Sequence, residues 1–278
     1  MDKLVQTADG SPTLWSGEFG ESYHSVSAGA LEEALKKFLL PSHLPFLVRE
    51  RDGVSLLEVG FGLGYNLTVT AVELLKVNPS VRVRYWGLER SLSPLLWELR
   101  LPPPYGEFYE LLKENLKRGK ERFRIGPVEV NLLFGDARRE VVRVEETVDA
   151  VYHDAFSPKR NAELWTLQFL EKLKERLRPE GFWVSYSAAL PVRRALAVLG
   201  FEVFSTEPVG RRSPGTAATL RGRAVCERVR PLSEKERRKL ETSPRAVPLE
   251  DPCLCLPREV IWENYLRRVS EREGKPLG

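Results

Sequence analysis

Four carboxylates, Glu58, Glu89, Asp136 and Asp154, each stand at the end of an apolar run of strand type, and the first is followed by glycines at alternate positions, Gly60, Gly62 and Gly64. Glycine at every second position lets the backbone take positive φ and lets a ligand approach the main chain without meeting a Cβ. Residues 67–76 then keep apolar side chains on a helical face, so free N–H groups and the positive end of the helix dipole would point at that ligand. Together these are half of a nucleotide or nucleoside pocket. Glu89 closes a second strand, where open α/β sheets usually hold a ribose diol, and a carboxylate can accept two hydroxyl hydrogen bonds there. Because ligands bind at the carboxyl ends of the strands of such sheets, all four acids are expected at one edge. Asp154 is the one expected to face the chemistry.

The elements that must position these residues alternate in type. Strands are expected at 56–59, 81–90, 128–134, 148–153, 182–187, 201–204 and 217–225, with helices at 30–40, 67–76, 107–120, 162–178 and 188–199 between or before them. The joint between the last two strands is short, so those two are expected to pair antiparallel. Residues 91–126 form a connection longer than a crossover needs, read as an insertion that either shapes the substrate mouth or caps the sheet. A turn cluster at 7–11 and an aromatic and polar stretch around Tyr23 and His24 precede the first buried strand. That stretch can pack on the domain edge or cover the site, and His24 is read as packing.

A chain of 278 residues can bury a sizeable core. We expect three parts: residues 1–50 covering the cofactor and substrate edge, a domain over 51–226, and a charged helical tail over 227–278. A formal net charge of +4 is too small to argue for nucleic acid by itself. No apolar run is long enough to span a membrane, and the start lacks a basic region followed by an apolar one, so a cytoplasmic protein without membrane contact is expected. The cysteines are Cys226, Cys253 and Cys255, and the histidines His24, His43 and His153 are scattered. No metal-ligand spacing emerges, and none is expected to bind. The Cys253-x-Cys255 pair is read as two small residues too close for an unstrained bridge.

A dinucleotide fingerprint needs glycine at the sixth position of the turn, where this chain has Tyr65. The acid-x-Gly-x-Gly-x-Gly pattern instead resembles the first motif of the class I S-adenosylmethionine (AdoMet) methyltransferases. More specifically, the turn from Glu58 to Asn66, Phe134-Gly135-Asp136, Asp154-Ala155-Phe156-Ser157-Pro158 with Asn161 and Leu164-Trp165-Thr166, and Ser187 with Val192-Arg193-Arg194-Ala195-Leu196 resemble the tRNA 5-methylaminomethyl-2-thiouridine-forming methyltransferases. The resemblance covers roughly residues 7–220, and the block after Asp154 is its most specific part. It implies a class I, Rossmann-like AdoMet-dependent methyltransferase fold, an α/β architecture with a mostly parallel seven-stranded sheet and helices on both faces. It also implies methyl transfer from AdoMet to the exocyclic amine of 5-aminomethyl-(2-thio)uridine at the tRNA wobble position.

Carried over residue by residue, the resemblance sets Tyr23, Glu58, Gly60, Gly62, Gly64 and Asn66 around the cofactor, Glu89 on its ribose, Asp136 and Ala137 at its adenine, and Asp154 at the acceptor amine. Phe156 and Pro158 would wall the site, although Phe156 reads equally well as core. The family's bifunctional members add a flavin-dependent oxidase for which this chain is too short, so the aminomethyl substrate is expected to come from elsewhere and the protein to act as a monomer. Lys159, Arg160, Arg193, Arg194, Arg211 and Arg212 are candidates for tRNA phosphate contacts, against the alternative of ordinary surface charge. Two other readings stand beside this one: an aminopropyltransferase or small-molecule methyltransferase on the same sheet, which would want acids for a polyamine, and a tRNA-binding module without catalysis, which would be expected to have lost the strand-end acids.

Overall fold

The computed structural model of the chain describes residues 1–210, 213–221 and 228–274. Twelve strands are found among them: β1 (Lys3–Gln6), β2 (Pro12–Ser16), β3 (Glu21–Ser22), β4 (Gly53–Val59), β5 (Arg82–Glu89), β6 (Arg122–Ile125), β7 (Val128–Phe134), β8 (Val148–His153), β9 (Leu177–Ser185), β10 (Glu202–Thr206), β11 (Thr216–Thr219) and β12 (Val229–Pro231). The first three form a small antiparallel sheet, and the rest form one sheet in the order β12-β10-β11-β9-β8-β4-β5-β7-β6. Its centre, β7-β5-β4-β8-β9, is parallel, and β10 and β11 pair antiparallel as expected. This is the class I methyltransferase arrangement. The seven expected strands are extended by β6 at one edge and β12 at the other.

Consecutive residues along the central strands serve opposite cores. Leu56, Tyr85, Ala150 and Phe182 belong to one cluster, with residues from the helices Tyr65–Val77 and Gly106–Lys117 and from the π-helical segment Ala34–Leu39. Leu57, Trp86, Val151 and Trp183 belong to the other, with the helices Leu167–Arg176, Leu190–Val198 and Arg258–Glu273. A parallel sheet covered on both faces needs apolar residues at every position, which is why these strands read as continuous runs.

Local chemistry sets the boundaries. The expected helix over 162–178 splits into a short 3-10 turn, Ala162–Trp165, and the helix Leu167–Arg176, because the Thr166 hydroxyl caps the second piece by accepting from the Phe169 N–H. The insertion over 91–126 contains the helix Gly106–Lys117 and then β6, which folds back on β7 through a Gly126-Pro127 turn. After residue 227, β12 pairs with β10, and the last helix buries Ile261, Tyr265 and Val269, one apolar face at helical spacing. No helix among the described residues is long and apolar enough to cross a membrane.

Candidate active site

The carboxyl ends of β4, β5, β7 and β8 open onto a cavity of about 700 Å³, lined among others by Gly60, Gly62, Glu89, Asp136, Ala137 and Asp154. Gly60 has φ 84°, and a Cβ there would lie 2.8 Å from the Asp154 carbonyl oxygen. The turn after β4 is thus pressed against the loop after β8. The Gly62 N–H donates to Glu89 Oε2 over 2.8 Å, while Glu89 Oε1 accepts from the N–H groups of Arg90 at 2.7 Å and Ser91 at 3.2 Å. Glu89 therefore ties the glycine turn to the end of β5. Roughly three of a carboxylate's four acceptor sites are used, leaving capacity on Oε2. Burial raises the Glu89 pKa against these three N–H donors.

Behind the turn, the Asn66 side-chain amide divides its two N–H groups between Glu58 Oε1 at 2.6 Å and Asp154 Oδ2 at 2.8 Å. Glu58 is fully buried and also accepts from the Tyr85 hydroxyl. Burial pushes the Glu58 carboxyl up to about 8, against the donations from Tyr85 and Asn66. Burial, then the charges of Glu33 and Glu58, push Asp154 well above the ordinary carboxylate range, with the Asn66 bond acting the other way. At a reference value near 4 an aspartate is a poor base toward an amine; the raised value makes Asp154 a better one.

Asp136 caps the short helix Ala137–Glu140 by accepting from the Arg138 N–H, and its carboxylate is gripped by the Arg138 guanidinium, Nη2 to Oδ2 being 2.7 Å. Burial acts to raise its pKa, but the hydrogen bonds and charge of Arg138 hold Asp136 below the usual carboxylate range.

The N-terminal segment covers this edge. Tyr23 lines the cavity, and its ring meets Phe156 edge-on at 5.1 Å, while Phe19 stacks on the same Phe156 at 4.2 Å. Glu21 accepts from the Ser157 N–H at 3.0 Å and hydroxyl at 2.5 Å. The loop after β8 is held further by Trp165 Nε1–H on the Phe156 carbonyl, 2.7 Å, and by the Tyr186 hydroxyl on the Ala155 carbonyl, 2.9 Å. Phe156 is thus a wall of the cavity. His24 stacks on Tyr65 and bonds to the Thr13 hydroxyl at 3.0 Å, with burial lowering its pKa to about 4, and it also forms part of the cavity lining. Sequence reasoning missed Glu33 and Glu163, which also line the cavity. Glu163 sits inside the Asn-x-x-Leu-Trp-Thr block, and that was the only signal for it.

A family model of S-adenosyl-L-methionine-dependent methyltransferases matches residues 106–221. The crystal structure of MNMC2 from Aquifex aeolicus superimposes with a TM-score of 0.90 at 43% identity, covering 98% of this chain and 86% of that one. The chain belongs to this methyltransferase family. An uncharacterized protein of Methanocaldococcus jannaschii is 33% identical over 98% of this chain and 74% of its own length. The tRNA 5-methylaminomethyl-2-thiouridine biosynthesis bifunctional protein MnmC of Thiobacillus denitrificans is 32% identical over 80% of this chain, which spans 37% of that relative. The cofactor of this methyltransferase is AdoMet. The cavity residues suit it: the positive-φ glycines Gly60 and Gly62 in its lining, and carboxylates at the ends of β5 and β7 able to accept from hydroxyl and amino groups.

The cationic residues of the methyltransferase fall in different places. Arg193 is not available to phosphate: it is 4% exposed and donates to the Thr216 and Ser205 hydroxyls and the Gly215 carbonyl, with Glu236 at 3.2 Å. It buries a guanidinium to join Leu190–Val198 to β10 and β11. Arg194 is half-buried on the same helix and outside the cavity lining, and Arg211 and Arg212 lie outside the described residues. Pro158, expected to wall the site, is instead buried outside the cavity lining, and Lys159 and Arg160 are exposed beyond it. Near them, Arg258 lies 5.1 Å and Arg90 5.6 Å over the Phe19 ring, both facing Glu18. The interior itself is acidic, so the absence of acids cannot be held against a polyamine substrate.

The two tail cysteines correct another expectation. Cys253 and Cys255 form a disulfide with Cα atoms 5.2 Å apart, because Leu254 between them takes a left-handed conformation at φ 52°. Asp251 joins them in a group whose ligand-type atoms lie within 4.8 Å of one another. With the sulfurs bonded together, neither is a thiolate that could bind a metal.

Proposed function

We propose that this methyltransferase transfers the AdoMet methyl group to the exocyclic amine of 5-aminomethyl-(2-thio)uridine at the wobble position of tRNA, giving the 5-methylaminomethyl nucleoside. The observation that carries this reading is Asp154, at the head of the Asp-Ala-Phe-Ser-Pro turn, in a cavity that also holds Glu33 and Glu163. A primary amine arrives as a cation, and carboxylates in a buried site attract it. The similarity to MNMC2 and to part of MnmC supports the choice of tRNA.

Bound AdoMet supplies a methyl group already activated by its sulfonium, so the chain's work is to orient and deprotonate the acceptor. In this reading Gly60 and Gly62 meet the amino acid end from the cavity lining, whereas Gly64, turned toward Phe61 and Leu112, only shapes the turn; Asn66 holds Asp154 in register with the turn, and Tyr23 closes over it. Glu89 accepts from the ribose through Oε2. Asp136 and the Ala137 N–H meet the adenine. Asp154 accepts the ammonium proton, freeing the nitrogen lone pair, and its raised pKa lets it hold that proton. Phe156, backed by Phe19, excludes water and offers a face to the uracil ring. Lys159, Arg160 and the arginines over Phe19 are the groups available to flanking phosphates, with Arg90 and Arg258 leaving Glu18 to do so.

The acidic interior also favours a second reading, a small polyamine as acceptor. Incubating the protein with labelled AdoMet and either tRNA carrying the aminomethyl nucleoside or spermidine tests both. Label in the tRNA nucleoside supports the first, and label only in spermidine replaces it with the second.

A further inference from the structure

Neither the glycine turn nor the strand-end acids account for a buried ionic chain that runs from Asp136 to the C-terminal segment. Arg138 lies between two carboxylates, its Nη2 2.7 Å from Asp136 Oδ2 and its Nη1 2.8 Å from Asp251 Oδ2. Nη1 also donates to the Leu256 carbonyl at 2.9 Å. Asp251 has no exposed side-chain surface, and Arg138 is 11% exposed. Asp251 is fixed in turn: Oδ1 accepts from the N–H groups of Cys255 at 3.1 Å and Leu256 at 3.2 Å, and its own N–H donates to Gln168 Oε1 at 2.8 Å.

A buried ion pair is a weak source of stability, because desolvation offsets most of its attraction. Placement is what such a pair does well. Asp136 keeps 34% of its side chain exposed and lines the cavity, so it is the member of the chain that a ligand can reach. The planar guanidinium fork sets the plane of the Asp136 carboxylate. With Arg138 pinned at its far end by Asp251 and the Leu256 carbonyl, that plane cannot swing.

We propose that Asp251 and Arg138 are positioning and specificity-determining residues for the nucleobase pocket: through them the C-terminal segment presents Asp136 as a fixed, ionised acceptor that selects a 6-amino purine over a 6-oxo purine. The inference rests on the reading above that Asp136 meets the adenine. A 6-amino group donates to that carboxylate. A 6-oxo group sets an acceptor against an acceptor and leaves a buried polar atom unpaired, which is the kind of mismatch that discriminates strongly.

The test is calorimetric affinity for S-adenosyl-L-homocysteine and S-inosyl-L-homocysteine, measured on the wild type and on Asp251→Asn and Arg138→Lys. The second variant keeps the charge and loses the fork, so it serves if the first does not fold. The wild type should prefer the adenosyl compound at least tenfold. Each folded variant should lose most of that ratio by weakening the adenosyl compound, with the inosyl compound little changed. A ratio kept at its wild-type value, whether both affinities stand or both fall together, overturns the positioning role while leaving Asp136 at the adenine. A wild type without preference overturns both.

Discussion

Asn66 donates to Asp154 over 2.8 Å from the first turn of the helix that follows the glycines, and its second N–H goes to Glu58 at 2.6 Å. A single neutral amide thus sets the spacing of two carboxylates drawn from β4 and from the loop after β8. Burial is the main source of the raised values at both, with the Asn66 bonds acting the other way, and at Asp154 the charges of Glu33 and Glu58 add to it.

Asp154→Asn and Asp154→Ala should lower single-turnover methyl transfer to the aminomethyl nucleoside by about two or more orders of magnitude, the range for positioned proton transfer. AdoMet affinity and the melting temperature should stay near wild type. Since burial raises the Asp154 pKa, the wild-type rate should rise with pH through a value well above the ordinary carboxylate range, and that limb should vanish in the Asn variant. Near-normal turnover in either variant would remove Asp154 from the reaction.

Glu58→Gln tests the buried acid. A carboxyl whose folded pKa is raised to about 8 contributes stability that is fully present below its unfolded value, near 4, and is lost as pH rises through about 8. The Gln variant should therefore melt close to wild type at pH 5 and above it at pH 9. Denaturation curves at the two pH values decide this, and parallel loss in both proteins would place the ionisation elsewhere.

Glu89 carries two separable roles. Glu89→Ala removes both the ribose acceptor and the anchor of the Gly62 N–H, so AdoMet binding should weaken by about 1 to 3 kcal/mol and the melting temperature should fall with it. Glu89→Gln keeps an oxygen for the turn and should lose affinity with less loss of stability. Unchanged AdoMet affinity by calorimetry in both would take Glu89 out of the pocket.

The arginines divide by burial. Replacing Arg160 or Arg258 by alanine should weaken tRNA binding and flatten its salt dependence by a slope of about 0.7 to 0.9 per lost phosphate contact. Arg193→Ala should instead destabilise the fold, since it removes the buried guanidinium that ties the Ser205 and Thr216 hydroxyls and the Gly215 carbonyl to Leu190–Val198, and leaves Glu236 to its pair with Arg230. A salt series showing wild-type slopes for Arg160 and Arg258 would make them ordinary surface residues.

What could be read from the chain was local. Glu58, Glu89, Asp136 and Asp154 each stand within one or two residues of an apolar run, so their shared edge follows from the parallel topology alone. The small N-terminal sheet was not visible in this way, because β1 and β2 are short, largely polar, and leave Leu4 and Trp15 exposed. The fate of Arg193 depends on Ser205, Thr216 and Glu236, partners far along the chain, and nothing in its own neighbourhood distinguishes it from Arg194. The link from Asp136 to Asp251 spans more than a hundred residues through one guanidinium. The Cys253–Cys255 disulfide turns on the φ of Leu254, a conformation that leucine rarely adopts.

The most direct measurement is nucleoside analysis of tRNA that carries 5-aminomethyl-2-thiouridine at the wobble position, after incubation with the protein and AdoMet. The expected result is conversion to 5-methylaminomethyl-2-thiouridine, with no conversion by Asp154→Ala on the same timescale. An unchanged wobble nucleoside, or a methyl group found on any other nucleoside, would contradict it.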